Sequence, residues 1–152
     1  MGKLKRVLLK LSGESLEGSA GYGIDPVRLG EYAEEVRAAM GEGIQMAIVI
    51  GGGNIFRGLQ GEAGGVDRVQ GDYMGMLATL INSMALQDAL EKRGVKARLL
   101  SGLVVAQICE PMSRRRAVEY LDEGYVVLIA AGTGNPFFTT DTASALRAIE
   151  IQ

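Results

Sequence analysis

Glycine stands where apolar runs end, and cations stand beside it. Gly51-Gly52-Gly53-Asn54 follows the run Ile44 to Ile50, Ser12-Gly13 follows Arg6 to Leu11, and Gly132-Thr133-Gly134 follows Tyr125 to Ala131. A glycine-rich turn lets main-chain N–H groups approach an anion, because no Cβ intervenes, and a following helix adds its partly positive N-terminus. One such turn reads equally well as a tight strand-to-helix connection; three on one edge favour phosphate binding. No GxxxxGK[ST] motif occurs, and the dinucleotide pattern GxGxxG is not completed after Gly51 and Gly53.

Lys10 interrupts an apolar strand, either snorkelling from its end or placing an ammonium at the ligand edge beside Gly13. Arg57 falls in what should be a first helical turn, where a cation opposes the helix dipole by about a few tenths of a kcal/mol and an anion would relieve it. A solvated arginine would cost little there. Asp72 reads first as a helix N-cap and second as an acceptor for sugar hydroxyls. Thr133 to Asp141 (TGNPFFTTD) combines glycine freedom, the rigid Asn135-Pro136 pair, and threonines and an aspartate able to contact a phosphate or its metal. Phe137 and Phe138 are expected to anchor this loop to the core, with an N-cap at Thr140 or Asp141.

Composition narrows the chemistry. The 152 residues include no histidine and one cysteine, Cys109. That excludes histidine-based nucleophilic or metal mechanisms, an internal disulfide and a CxxC zinc pair. Sixteen Lys+Arg against eighteen Asp+Glu, a net charge of −2, gives no basic excess for nucleic acid. No apolar run approaches the ~18–20 residues that span a bilayer. Arg114-Arg115-Arg116 reads as a solvated face or a subunit contact, Cys109 as a small, at least partly buried hydrophobe, and the seven methionines as core or interface filler.

The elements that would position these residues alternate. A buried strand at Arg6 to Leu11 leads to a loop or irregular hairpin over Ser12 to Asp25. Asp25-Pro26 opens a helix with Leu29, Tyr32, Ala33, Val36 and Met40 on one face, ended by Gly41 and Gly43. Strands follow at Ile44 to Ile50, Val95 to Leu100 and Tyr125 to Ala131. Helical patterns cover Asp67 to Arg93 (interrupted near Gly71), Ser113 to Glu123 and Thr140 to Ile149. Continuous apolar strands alternating with amphipathic helices imply an α/β fold, a mostly parallel sheet covered on both faces, with ligands beyond the strands' carboxyl ends. The pattern stops at Glu150-Ile151-Gln152 without a cap or a packing partner, as in a truncated chain or a short closing helix.

Four blocks carry a resemblance. LKLSGE (Leu9 to Glu14), IGGGNIFRG (Ile50 to Gly58), GDYMGMLAT (Gly71 to Thr79) and AGTGNPFFTTD (Ala131 to Asp141) closely resemble the bacterial uridylate kinases of the amino acid kinase family, in the same order. GGGN is shared across that fold; the last block is far more specific. The resemblance implies a three-layer αβα sandwich, residues 1–152 forming a single kinase domain whose C-terminal portion is missing. It implies transfer of the ATP γ-phosphoryl group to UMP, giving UDP, with Mg²⁺ on unassigned ligands, in cytoplasmic pyrimidine nucleotide synthesis. By position, Lys10, Leu11, Ser12, Gly13, Gly53 and Arg57 would face ATP. Gly52, Arg57, Asp72, Thr133, Gly134, Asn135, Pro136, Phe137, Phe138, Thr139 and Thr140 would hold UMP, with Asp72 on the ribose. Lys10, Arg57 and Asp141 would serve the reacting centre.

Glu17 to Gly23 matches a family segment linked to activation by GTP, with Gly18, Ser19, Ala20, Gly21, Tyr22 and Gly23, and Arg98 elsewhere, as its site residues; UTP is a second expected effector. Tyr125 departs from the basic residue many members carry there. A homohexamer is implied, with Met74 to Leu90 as interface, and neither nucleic acid nor membrane as partner. The family's further αβ portion carries most adenine contacts, so the ATP half-site would be incomplete. Competing readings are a non-catalytic nucleotide-binding or oligomerisation module, and another phosphotransferase of the same family. The lack of histidine fits phosphoryl transfer, which needs positioning and charge neutralisation onto an already ionised phosphate acceptor.

Overall fold

Apolar runs bounded by glycine become short strands, and the amphipathic runs between them become helices that cover the sheet. The computed structural model describes residues 5–57 and 64–152. Strands β1 (Arg6–Leu11), β2 (Gln45–Ile50), β3 (Ala97–Ser101), β4 (Glu110–Pro111) and β5 (Val126–Ala130) form one sheet in the order β1-β2-β5-β3-β4. Every pair is parallel. The helices are α1 (Pro26–Met40), α2 (Arg68–Glu91), α3 (Arg114–Asp122) and α4 (Thr140–Glu150).

The period of two along each strand sorts side chains onto two faces. Met46, Ile48 and Ile50 of β2, with Val126, Leu128 and Ala130 of β5, meet Ala33 and Val36 of α1 and Leu80, Leu86 and Leu90 of α2. Ala47, Val49, Val127 and Ile129 turn the other way, onto Ala117, Tyr120 and Leu121 of α3, with Ile151 just past α4. The result is the three-layer αβα sandwich that the alternation implies. Cys109 is half-buried against the first of these cores. Among the described residues no helix is long and apolar enough to cross a membrane.

Several expectations need correction. Among the described residues β1 lies at the edge of the sheet and is only half-buried, with Leu9 37% exposed. An edge tolerates a charge, which is why Lys10 can sit within it. β4 gives no periodic signal: it is two residues, one of them proline, at the opposite edge. Ser12 to Asp25 forms two 3-10 turns, Gly13–Leu16 and Gly18–Ala20, instead of a hairpin. Ile151 does have a packing partner and is 2% exposed.

The helix starts follow side-chain capping. Asp25 accepts the Val27 N–H at 2.9 Å ahead of Pro26, as the sequence suggests. Asp67 caps α2 by accepting from Val69 and Gln70. α2 runs unbroken through Gly71, whose N–H reaches the Asp67 carbonyl at 2.8 Å. Each interior glycine costs about 1 kcal/mol, and Gly71 and Gly75 together are too little to break a capped helix of 24 residues. Asp72 therefore lies inside α2 and is not its cap. Thr139, not Thr140 or Asp141, caps α4 by accepting from the Thr142 N–H at 3.0 Å.

Candidate active site

Parallel strands leave their carboxyl ends on one edge, where the Gly13 and Gly51 turns press together and the Gly132–Gly134 turn lies against Gly102. The Gly51 N–H donates to the Leu11 carbonyl at 2.9 Å. A Cβ on Gly13 would lie 2.5 Å from the Gly51 carbonyl oxygen, and one on Gly52 would lie 2.7 Å from the Ala78 Cβ. These two positions are glycine because backbone and α2 approach too closely for any side chain. On the β5 side the demand is conformational. Ala131, Gly132, Gly134 and Phe137 have φ of 63°, 53°, 78° and 69°. A side chain in that region is strained, and such strain gathers at functional sites.

Buried polar bonds fix the turns to α2. The Asn54 and Asn82 amides bond reciprocally, Asn54 Nδ2 to Asn82 Oδ1 at 3.0 Å and Asn82 Nδ2 to Asn54 Oδ1 at 2.7 Å. Asn82 also donates to the Gly51 carbonyl and Asn54 to the Gly23 carbonyl. Thr79 Oγ1 accepts the Ala131 N–H at 2.8 Å and donates to the Met76 carbonyl. One helix thus holds both the β2 and the β5 turn.

Between these turns and α2 lies a cavity of about 360 Å³. Of the residues expected around UMP, Gly52, Arg57, Asp72, Thr133, Asn135, Phe138, Thr139 and Thr140 line it. Gly134, Pro136 and Phe137 belong to the same loop but stand outside the lining. Of the residues expected around ATP, Gly53 and Arg57 line it, whereas Lys10, Leu11, Ser12 and Gly13 do not. Leu11 packs against the core. Lys10 Nζ meets Asp141 Oδ1 at 3.0 Å, one residue past Thr140, so this ammonium stands at the cavity's rim.

Arg57 itself is not helical. Its Nε donates to the Gly53 carbonyl at 2.9 Å and Nη2 to Glu17 Oε1 at 3.0 Å, with Glu14 Oε1 3.8 Å from Nε. Ser12 Oγ donates to the Glu14 carboxylate. That bond, then the Glu14 N–H, holds the Glu14 carboxyl below its ordinary value; Arg57 and Lys10 add to this and partial burial opposes it.

Asp72 accepts the Phe137 N–H at 2.7 Å and the Arg68 Nε at 3.1 Å. The Arg68 guanidinium also lies over the Phe137 ring at 5.2 Å. Phe137 and Phe138 are 63% and 58% exposed, so they do not anchor the loop in the core. Asp72 holds it instead, together with Arg147, whose Nη2 donates to the Gly132 carbonyl at 3.1 Å.

The expected effector residues divide between the two ends of the sheet. Gly18 to Gly23 sits at the carboxyl end, where the Gly23 N–H donates to the Asn54 carbonyl at 2.7 Å. Arg98 lies near the amino end of β3, stacked on Tyr125 at 4.7 Å and Tyr120 at 5.5 Å.

Arg68 and Arg147 carry no sequence-based expectation, and Glu17 carries only that of the segment linked to GTP. Arg68 has a readable signal, since it precedes Asp72 by four residues on one helix face. Glu17 and Arg147 act across folds of the chain that spacing does not reveal. Among the described residues no three acidic or thiol side chains cluster as a metal cage.

Comparison with known proteins adds to this geometry. The model of the amino acid kinase family matches residues 5–152. A uridylate kinase of Dichelobacter nodosus (strain VCS1703A) is 58% identical over 150 residues, covering 99% of this chain and 62% of that protein. The crystal structure of UMP kinase from Bacillus anthracis superposes with a TM-score of 0.92 at 44% identity, over 97% of this chain and 61% of that one. UMP kinase from Ureaplasma parvum superposes with a TM-score of 0.92 at 33% identity, over 99% and 65%. The chain therefore spans somewhat under two thirds of the length of these relatives.

Proposed function

Since the chain belongs to the amino acid kinase family, we propose that the protein transfers the γ-phosphoryl group of ATP to UMP, giving UDP. The observation that carries this reading is the cavity of about 360 Å³ with the Arg57 guanidinium, the Asp72 carboxylate and the Thr133–Thr140 loop around it. A nucleoside monophosphate presents an anion, a pair of hydroxyls and a base, and this lining offers a partner for each. The names of the similar proteins support the same choice.

In this reading Arg57 receives the acceptor phosphate, with the Gly52 main chain close by. Asp72 accepts from the ribose hydroxyls. The loop from Thr133 through Gly134, Asn135, Pro136, Phe137, Phe138 and Thr139 to Thr140 surrounds base and phosphate. The acceptor oxygen is already ionised at neutral pH, so no side chain has to remove a proton. Lys10, held by Asp141, offsets charge as the phosphoryl group moves, and Ser12, Gly13 and Gly53 offer main-chain N–H groups on the ATP side. Magnesium would arrive on the ATP phosphates, needing at most one or two protein carboxylates, with Asp141 at the rim as the candidate. It would supply further neutralisation of the phosphate charge.

The same reading makes residues 1–152 part of one kinase domain in a cytoplasmic homohexamer responsive to GTP or UTP. The exposed apolar residues Met74, Leu77, Ile81 and Met84 of α2 would supply an interface. A coupled ADP-release assay on the full gene product, with UMP, CMP, glutamate and aspartate as acceptors, tests the activity. Turnover with UMP is expected; turnover with another acceptor and none with UMP would overturn the reading.

A further inference from the structure

We infer that Glu17 is a positioning residue for the acceptor phosphate: its carboxylate anchors one edge of the Arg57 guanidinium so that the other edge is presented to the cavity. The inference takes its substrate from the UMP reading, while its geometry stands apart from it.

A guanidinium has five N–H donors. In Arg57 the Nε–H goes to the Gly53 carbonyl and one Nη2–H to Glu17 Oε1 at 3.0 Å. Among the described residues the other three make no hydrogen bond, and Arg57 lines the cavity. One side of the fork is thus spent on the protein, and the end-on pair of nitrogens remains for a bidentate anion. The Glu17 side chain is 12% exposed against 44% for Arg57, so the carboxylate is the fixed member of the pair and the arginine the one being fixed.

The mount under Glu17 is rigid. Its N–H donates to the Glu14 carbonyl at 3.1 Å, where the two 3-10 turns meet. The next residue, Gly18, has φ of 61° and lies against the Asp25 carboxylate, which also caps α1. The Asp25 N–H in turn donates to the Leu16 carbonyl at 2.7 Å. A free arginine side chain loses rotamer entropy when it is held, and an anchored guanidinium has already lost part of it before an anion arrives. The opposite possibility is that the carboxylate competes with the phosphate for Arg57, in which case removing it would tighten binding.

The experiment compares Glu17→Ala and Glu17→Gln in the full gene product. Glu17→Ala should raise KM for UMP about tenfold while kcat changes less than about twofold, and Glu17→Gln, which keeps an acceptor oxygen, should recover most of the loss. A second measurement needs no substrate: the Arg57 Nε–H resonance, identified by its loss in Arg57→Lys, should be sharp in wild type and Glu17→Gln and broadened in Glu17→Ala. Inorganic phosphate should shift that resonance more weakly in Glu17→Ala. An unchanged or lowered KM, or an equally sharp signal in Glu17→Ala, would overturn the inference. Absence of any UMP turnover in wild type would overturn the substrate reading alone, and the resonance and phosphate titration would then decide the role of Glu17.

Discussion

Arg57 at the glycine rim and Arg116 on the β4–α3 flank expose nearly the same share of their side chains, 44% and 45%, and both lie within reach of two carboxylates. Their donors are used differently. Arg116 gives Nη2 to Glu110 at 2.7 Å and to the Tyr120 hydroxyl at 2.6 Å, Nη1 to Glu119 at 3.2 Å, and its face to the Tyr120 ring at 4.7 Å. The Tyr120 hydroxyl closes the circuit by donating to Glu110 at 2.6 Å. Arg57 spends two donors and keeps three over a cavity. Exposure and charge alone would rank the two arginines together. What separates a binding group from a structural one is the donors left unspent where a ligand fits.

The largest effect that would test the contrast is at the rim. Lys10→Ala should lower kcat by about 10²–10³-fold with a smaller change in KM, as expected for a charge that matters most as the phosphoryl group moves. Steady-state kinetics with UMP and ATP reads it, and an unchanged kcat would detach Lys10 from the reaction. Next, Arg57→Ala should raise KM for UMP by about 10²-fold, since charge-assisted hydrogen bonds are lost, while Arg116→Ala should stay within about twofold. Equal losses in the two variants would dissolve the distinction.

The two regions also differ in why they need glycine. Gly13→Ala puts a Cβ 2.5 Å from a backbone oxygen, so it should destabilise by about 1–3 kcal/mol and disturb phosphate binding with it. Gly124, after α3, has φ of 87° and open space around it, so Gly124→Ala should cost only about 1 kcal/mol of conformational strain and leave kinetics alone. Thermal denaturation alongside kinetics separates the two.

The smallest effect lies on the flank and depends on pH. The Tyr120 hydroxyl and then Arg116 hold the Glu110 carboxyl below its ordinary value, and Glu110 above all holds the Tyr120 phenol above its own. The Glu110 contribution is therefore present above the unfolded carboxyl value and lost as pH falls through the folded one. The Tyr120 contribution is present below the unfolded phenol value and lost as pH rises through the folded one. Glu110→Gln should flatten both edges of the stability profile by less than about 2 °C in Tm at this solvent-screened site, with the UMP site unaffected.

Much of the scaffold is legible in the sequence because its signals are local. Apolar runs ending in glycine mark β2 and β5, and Asp25-Pro26 marks α1, because capping and periodicity act within a few residues. Asp67 and Asp72 illustrate the limit. Either carboxylate can cap a helix, and only the bonds to Val69 and Gln70 decide that the earlier one does. β1 reads as buried because its composition cannot say that one side of it has no neighbouring strand among the described residues. The pairs that define the site join residues far apart in the chain: Glu17 with Arg57, Asp72 with Phe137, Lys10 with Asp141. No spacing rule reaches across such separations, so residue types are legible in the sequence while partners are not.

The reciprocal Asn54–Asn82 pair has a consequence of a different kind. Amides hold no proton to lose in the physiological range and carry no net charge for salt to screen. Acid, alkali or concentrated electrolyte can weaken the ionic contacts around the cavity mouth without moving the seat on which the β2 turn rests. Substrate affinity should then vary with ionic strength through the charges alone, on a frame whose shape stays constant.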